Sequence, residues 1–216
     1  MDDINYDYIT EFVRANLPES TGLVREMEEY AAAHSLPISR PESVRFAEIL
    51  GKLINAENIL EVGTAIGYWS IRMAAALGAN ITTIELSEKL FNKAVEYIER
   101  SELHITAINC DGADILPTLT GPYDIIFIDA AKGQYGAYFK ECARLVRRGG
   151  LIISDNVLYK GMVANSGLVV RRKITIVKRL RAYIKMLKSN PDFDTVILPV
   201  GDGMALSVKR VKEINP

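Results

Sequence analysis

Residues 59–71 constrain the fold more than any other stretch of the sequence. An apolar run, Ile59-Leu60, ends in the acid Glu61, passes through Gly63 and Gly67 and continues as a helical pattern. This order predicts a strand, a tight turn and the first turn of a helix, whose unpaired backbone N–H groups can bind an anionic or polar ligand. Gly63 and Gly67 would let the backbone approach that ligand closely.

A second acid, Glu85, closes the next apolar strand, 24 residues after Glu61. In dinucleotide-binding α/β proteins an acid about 20 residues along binds the ribose hydroxyls. The glycines are spaced Gly63-x-x-x-Gly67, which is not the G-x-G-x-x-G pattern that cradles a pyrophosphate. The sequence therefore favours a nucleoside cofactor without phosphates over NAD.

Strand and helix patterns alternate from residue 58 onward, as in a doubly wound parallel sheet. Strands are predicted near 58–63, 80–85, 104–109, 123–129, 149–154, 194–199 and 203–209, and helices near 67–78, 87–101, 112–119, 133–147 and 168–189. Only residues 200–203 join the last two strands, so these must form an antiparallel hairpin. We predict an α/β, Rossmann-like sheet of seven mostly parallel strands with a C-terminal antiparallel hairpin.

The N-terminal part has helical spacing without strands. Residues 1–55 read as two or three short helices punctuated by Pro18, Pro37 and Pro41. We predict an N-terminal helical extension over 1–55 and a catalytic domain over 56–216, together one structural unit. The extension could cap the active site or form a subunit contact in a homodimer.

Composition limits the possible environments and partners. No apolar run reaches the roughly 18 residues that cross a bilayer, and the N-terminus is acidic, so we expect a cytoplasmic protein with no membrane partner. The net charge is −1, yet residues 157–190 contain nine Lys and Arg and no acid. This basic segment is either a solvated helix face or a patch that binds a polyanion.

Polar side chains follow two neighbouring predicted strands. Asp129 ends one apolar strand, with Lys132 three residues on, and Asp155-Asn156 ends the next. Two carboxylates and an amide at adjacent strand ends can converge on a hard divalent cation such as Mg²⁺. Lys132 is then a candidate general base or charge stabiliser. The plainer alternatives are loop caps for the acids and an exposed lysine at a helix start.

The turn Asp111-Gly112-Ala113-Asp114 follows the third strand and should lie beside the Glu85 turn. Asp111 could accept a hydrogen bond from an adenine amino group. An N-cap for the short helix that follows needs the same residue type.

Six motifs together carry a family resemblance: Glu61-Val-Gly-Thr64 with Gly67-Tyr68, Glu85, Asp111-Gly112, Asp129-Ala-Ala-Lys132, Asp155-Asn156 and Leu198-Pro-Val-Gly-Asp-Gly203. From about residue 36 onward the chain resembles the metal-dependent, S-adenosylmethionine-using O-methyltransferases that include the catechol and caffeoyl-CoA enzymes. The resemblance implies a methyltransferase fold, metal ligands at Asp129, Asp155 and Asn156, and catalysis by Lys132 with Asp129. It implies cofactor contacts at Glu61, Gly63, Thr64, Tyr68, Ser70, Glu85, Asp111, Gly112, Ala113 and Asp129.

The acceptor is less constrained. Residues 157–163 and 170–173 are similar to the bacterial enzymes that methylate 5-hydroxyuridine at the tRNA wobble position, which implies RNA contacts at Arg40, Lys160, Arg171, Arg172 and Lys173. The alternative acceptor is a small catechol-like phenol, and a non-catalytic nucleoside-binding module is the third possibility. Family members usually read Gly-Tyr-Ser after the turn, with the serine on the methionine carboxylate. Here Trp69 stands in that place and Ser70 follows, and both are candidate contacts.

Overall fold

The computed structural model describes residues 4–211. Residues 1–3 and 212–216, which belong to the predicted extension and catalytic domain, lie outside the described residues. The helices are α1 (Asp7–Ala15), α2 (Gly22–Ala33), α3 (Pro41–Leu53), α4 (Tyr68–Leu77), α5 (Glu88–Ser101), α6 (Gly112–Ile115), α7 (Tyr135–Leu145) and α8 (Ile174–Ser189). The strands are β1 (Asn58–Val62), β2 (Asn80–Glu85), β3 (Ile105–Asn109), β4 (Tyr123–Ile128), β5 (Val146–Ser154), β6 (Phe193–Leu198) and β7 (Met204–Lys209).

The seven strands form one sheet in the order β3-β2-β1-β4-β5-β7-β6. The first five strands are parallel, and β7 pairs antiparallel with both β5 and β6. The predicted doubly wound sheet with a C-terminal antiparallel hairpin is therefore confirmed. Because parallel strands end at the same edge, the residues that follow β1 to β5 meet along one side of the molecule.

Apolar cores cover both faces of the sheet. Ile59, Phe127 and Ile153 belong to the core on which α2, α3 and α4 pack, whereas Leu60, Ile126 and Ile152 belong to the core under α7 and α8. The alternation along each strand follows from the two-residue side-chain period. The N-terminal helices thus cover the same face as α4, beside the turn that follows β1.

The first helix is held differently from the other two. It has no buried residue, and Phe12 is 71% exposed. Its polar contacts include the Arg14–Glu42 ion pair, and Asn5, just before the helix, donates a hydrogen bond to the Pro199 carbonyl. The expected homodimer stays a prediction. No helix within residues 4–211 is long and apolar enough to span a membrane.

Several predicted boundaries were wrong. The helix predicted over 168–189 begins at Ile174, because Asn165 caps a short 3-10 turn at Ser166–Leu168 and a second 3-10 turn follows at Arg171–Lys173. The helix predicted over 112–119 is split into α6 and a 3-10 turn at Leu116–Thr118, since Pro117 lacks the N–H that would continue an α-helix. The strand predicted from 149 already begins at Val146.

Candidate active site

A cavity of about 410 Å³ opens at the edge where β1 to β5 end. Of the predicted site residues, its wall contains Arg40, Glu61, Gly63, Thr64, Tyr68, Glu85, Asp111, Gly112, Asp129, Lys132, Asp155 and Asn156. It does not contain Ser70, Ala113, Lys160, Arg171, Arg172 or Lys173. The structure therefore gathers most of the predicted residues at one place, although the role of each stays a prediction.

Glu61 lies under the turn that follows β1. Its side chain is buried, and its Oε2 accepts hydrogen bonds from the hydroxyls of Ser70 and Thr83, the latter at 2.6 Å. Thr83 in turn shares a 2.6 Å hydrogen bond with Thr64. Burial raises the pKa of Glu61 to about 8, and the two hydroxyl bonds only partly offset that effect. Ser70 thus supports Glu61 from outside the cavity wall.

Glu85 organises the next turn through both of its carboxylate oxygens. Oε2 accepts the Ala65 N–H and Oε1 accepts the Ser87 N–H, each at 2.8 Å. Ala65 has a φ of 49°, so the acid stabilises a strained turn as well as lining the cavity. A carboxylate fixed in this way can present its remaining lone pairs to ribose hydroxyls.

Asp111 caps α6, as one of the two sequence interpretations requires. Its Oδ1 accepts the Ala113 N–H at 2.8 Å. Because Asp111 also lines the cavity, the cap does not exclude a contact with an adenine amino group. Ala113 contributes its backbone to the cap and lies outside the wall.

Gly63 has a role that the sequence did not reveal. Its φ is 108°, and a Cβ there would collide with the carbonyl oxygen of Asp129. The glycine is therefore required by the close approach of the β4 end, whereas the sequence interpretation gave the approach of a ligand as the reason.

Sequence reasoning allowed the N-terminal extension to cap the active site but did not reveal the contacts that link it to the cavity. The Tyr68 hydroxyl donates to Glu28 of α2 at 2.6 Å and accepts from Arg72 at 3.1 Å. Arg72 forms a 2.6 Å ion pair with Glu48 of α3, which is buried. Residues 37–40, between α2 and α3, form part of the cavity wall. The extension is therefore one side of the site.

Two carboxylates meet at the ends of β4 and β5. Ile128 pairs with Ser154 in register, so Asp129 and Asp155 follow adjacent strands at the same level. Burial raises the pKa of Asp155, and the nearby charge of Asp129 raises it further. Asp155 accepts the backbone N–H of Asn156 at 2.7 Å, and Asn156 has a φ of 58°. Lys132 supplies positive charge beside this donor set, and that charge acts to lower the pKa of Asp155.

The donor set fits a hard cation by its chemistry. Within residues 4–211 no three His, Cys, Asp or Glu side chains form a metal-binding group, so the candidate ligands are two carboxylates and one amide. Oxygen ligands of this kind, completed by water and substrate, are typical for Mg²⁺. Lys132 Nζ lies 3.5 Å from Asp129 Oδ1, over the ring of Tyr135 at 5.8 Å from its centroid.

Cations surround the wall on the β5 side. Burial raises the pKa of Asp202, while the charges of Arg40, Lys132 and Lys160 act to lower it. Arg40 packs its Cδ against Gly201, and the Lys160 backbone N–H donates to Asp202. Arg40 therefore lines the cavity, whereas Lys160 lies near Asp202, outside the cavity wall.

Two cations of the basic segment contact residues that follow β4 and β5. Lys173 lies over the ring of Tyr159 at 5.5 Å, and Arg179 lies against Gly133. Arg181, in contrast, donates to the carbonyls of Val163 and Met162, so it stabilises the loop before α8. Arg171 and Arg172 are exposed.

Comparisons with known proteins agree with this geometry. A family model described as O-methyltransferase matches residues 16–210, which begins earlier than the residue 36 expected from the sequence. A catechol O-methyltransferase from Niastella koreensis is 38% identical over 183 residues, covering 79% of this chain and 81% of the relative. A caffeoyl-CoA O-methyltransferase 2 from Eucalyptus globulus is 33% identical over 222 residues, covering 94% of this chain and 87% of the relative.

Solved structures with this fold include one with a bound cofactor product. The O-methyltransferase from Bacillus cereus in complex with SAH has a TM-score of 0.83 and 29% identity, covering 94% of this chain and 97% of that chain.

Proposed function

We propose that this chain, which belongs to the O-methyltransferase family, methylates the 5-hydroxyl of 5-hydroxyuridine at the tRNA wobble position with the help of a divalent cation. It is an S-adenosylmethionine-dependent O-methyltransferase of the catechol and caffeoyl-CoA type. The divalent cation and the identity of the methyl acceptor are proposals.

The cation is supported by the unbalanced charge at the ends of β4 and β5. Two carboxylates at one cavity edge repel each other, and the raised pKa of Asp155 reflects that repulsion together with burial. Asp129, Asp155 and Asn156 would hold the ion, whose chemistry is to acidify a bound hydroxyl and orient it.

The chain's own residues would carry the other parts of the reaction. S-adenosylmethionine supplies a methyl group activated by its sulfonium. Glu85 and Asp111 would position the nucleoside part, and the turn at Gly63 would receive the amino-acid part. Lys132 Nζ, 3.5 Å from Asp129, is placed to accept or stabilise the proton of the acceptor hydroxyl. Orientation and a lowered hydroxyl pKa would then drive transfer without a covalent enzyme intermediate.

One observation supports RNA as the acceptor: cations of the acid-free basic segment contact residues that follow β4 and β5, whose ends line the cavity. Arg179 lies against Gly133, next to Lys132, and Lys173 lies over Tyr159, shortly after Asn156. Seven of its nine cations are exposed, namely Lys160, Arg171, Arg172, Lys178, Arg179, Lys185 and Lys188. Such a surface can bind phosphates on either side of a base that enters the cavity.

The second candidate is a small aromatic acceptor with adjacent hydroxyls. The name of the Niastella koreensis relative, at 38% identity, favours it. In that case the basic segment would be a solvated helix face, and Arg40 and Lys160 would bind no phosphate.

A transfer assay separates these candidates. The protein would be incubated with labelled S-adenosylmethionine and either tRNA containing 5-hydroxyuridine, the same tRNA without that hydroxyl, or catechol, each with Mg²⁺ or with EDTA. We expect label only in the hydroxylated tRNA and only with Mg²⁺. Label in catechol alone would overturn the RNA acceptor, and undiminished transfer in EDTA would overturn the cation.

A further inference from the structure

The loop that follows Asn156 contains a left-handed turn, residues 159–161, in which three consecutive residues have positive φ. The angles are 49° at Tyr159, 55° at Lys160 and 75° at Gly161. The Tyr159 carbonyl accepts the Met162 N–H at 3.1 Å, which closes the turn. Residues other than glycine adopt this conformation at an energetic cost and usually singly. Two in succession must therefore be held by their surroundings, and strain of this kind is concentrated at binding sites.

Asp202, in the link between β6 and β7, holds the left-handed turn at two points. Its backbone carbonyl accepts the Leu158 N–H at 3.1 Å, and its side-chain Oδ1 accepts the Lys160 N–H. Asp202 is only 5% exposed, and a buried carboxylate is stable only where donors of hydrogen bonds or opposite charges surround it. The carboxylate is therefore built into the turn.

The same carboxylate is close to the cavity wall. Burial raises the pKa of Asp202, and the charges of two wall residues, Arg40 and Lys132, act against that rise. Gly201, the preceding residue, packs against Arg40 Cδ. Asp202 itself lies outside the wall, so it connects the wall to the left-handed turn without lining the cavity.

The left-handed turn joins the donor set to the basic segment. It begins three residues after Asn156, and the ring of Tyr159 lies under Lys173 Nζ, 5.5 Å from the centroid. Beyond the turn, the Val163 carbonyl accepts a hydrogen bond from Arg181 Nε at 2.9 Å. The path of the chain through the turn therefore decides where these cations lie relative to Asn156.

We propose that Asp202 is a positioning residue for the methyl acceptor, because it holds the left-handed turn and thereby fixes Tyr159 and Lys173 relative to Asn156. This inference rests on the proposed function for RNA as the acceptor. It gives a role to the motif at residues 198–203, which the reaction itself does not use.

Two variants of Asp202 test the proposal in steady-state methylation of tRNA containing 5-hydroxyuridine, with Mg²⁺. Asp202→Ala removes the acceptor of the Lys160 N–H, whereas Asp202→Asn retains a side-chain oxygen that can accept it. We expect Asp202→Ala to raise the KM for tRNA about 10-fold and to change kcat by less than about 3-fold, as for a contact present in both ground state and transition state. Asp202→Asn should stay within about 3-fold of the wild type in both constants.

A glycine variant tests the strain directly. Glycine adopts positive φ without steric cost, so in the Lys160→Gly background the turn needs Asp202 less. There Asp202→Ala should raise the KM for tRNA by less than about 3-fold relative to Lys160→Gly alone, which accounts for the lost cation.

Hydrogen exchange of the protein without ligands measures the turn independently of methylation. We expect faster amide exchange in residues 159–163 for Asp202→Ala, and wild-type exchange for Asp202→Asn. Asp194→Ala, at an exposed acid of β6 paired with Arg210, is the matched control and should alter neither the exchange nor the KM.

Each outcome decides the proposal. A KM effect confined to Asp202→Ala and reduced by Lys160→Gly supports it. Equal KM effects in Asp202→Ala and Asp202→Asn, a loss in kcat alone, or unchanged exchange in Asp202→Ala overturns it. If the wild type methylates no tRNA, the proposed function fails, and with it the role of Asp202 in acceptor binding, while the exchange data still show whether Asp202 holds the turn.

Discussion

The cavity has two sides, which differ in how many hydrogen bonds the protein itself donates to the carboxylates there. On the β1 to β3 side, Glu61 accepts two hydroxyl hydrogen bonds, Glu85 accepts two backbone N–H groups and Asp111 accepts one. On the β4 to β5 side, Asp155 accepts one backbone N–H but lies next to a second carboxylate, Asp129, which forms a 3.5 Å ion pair with Lys132.

This difference indicates two ways of building a binding site. The first side is fixed before any ligand arrives, so its turn residues can bind a nucleoside with little rearrangement. The second side places two carboxylates next to each other, and a bound cation would reduce their repulsion. The following predictions test whether that distinction is correct.

The largest effect is expected on the second side. Asp155→Ala should lower kcat about 1000-fold, because the proposed cation, which would acidify the acceptor hydroxyl, would lose a ligand. S-adenosylhomocysteine affinity, measured by calorimetry, should stay within about 2-fold, since the nucleoside contacts lie on the other side. Asp192→Ala, in the turn before β6, is the matched control. A large loss of cofactor affinity in Asp155→Ala would contradict the division into two sides.

The second prediction concerns Glu61 on the first side, whose pKa is raised by burial to about 8. The folded state holds this proton more tightly than the unfolded state, so the free energy of unfolding falls as the pH rises from about 4.5 to 8. Glu61→Gln removes that dependence. The free energy of unfolding of the variant minus that of the wild type should therefore be about 3 kcal/mol larger at pH 8 than at pH 5.

Denaturant unfolding of the protein without ligands, at pH 5, 6, 7 and 8, measures this difference. Glu29→Gln, at an exposed pair with Arg25, serves as the control and should follow the wild type at every pH. If the free energy of unfolding changed with pH equally for Glu61→Gln and the wild type, burying the charge of Glu61 would cost no stability, which contradicts the prediction.

The third prediction concerns the exposed cations of the basic segment near the second side. Arg171→Ala/Arg172→Ala should weaken tRNA binding about 10-fold and lower the slope of log affinity against log salt by about 2, because two phosphate contacts are lost. Filter binding across salt concentrations measures both quantities. Lys52→Ala/Lys89→Ala changes the charge equally on exposed positions of α3 and α5 and should leave the slope unchanged.

The smallest effect concerns the N-terminal helices. Glu28→Gln leaves the Tyr68 hydroxyl with a neutral acceptor in place of a charged one, so the first turn of α4 is held less firmly. We expect S-adenosylhomocysteine affinity to fall about 3-fold, with the affinity for Mg²⁺ unchanged. An equal change in both affinities would show that the two sides are coupled.

The sequence predicted what depends on local periodicity and chain order. The alternation of strands and helices, the short link at residues 200–203 and the acids after each strand were sufficient for the sheet and for the convergence of Glu85, Asp111, Asp129 and Asp155. These features need no knowledge of side-chain packing.

The missed features depend on contacts between distant segments. Glu28 and Tyr68 are 40 residues apart and meet only when α2 packs beside α4. Ser70 lies on the first turn as predicted, yet its hydroxyl turns to Glu61, which no spacing rule reveals. The loop before α8 contains helix-compatible residues, and its 3-10 turns depend on the cap at Asn165 and on Arg181. Tertiary interactions thus overrode the local pattern at these positions.

The place of β7 in the sheet has a consequence for the order in which the protein assembles. During synthesis β6 leaves the ribosome before β7, yet β6 pairs with β7 alone, and β7 inserts between β5 and β6. The backbone N–H groups of Val157 and Leu158 bond to Gly203 and Asp202, in the link between these two strands. We therefore expect the β4 to β5 side of the cavity to form after the β1 to β3 side, so that a nascent chain could bind the cofactor before it could bind the methyl acceptor.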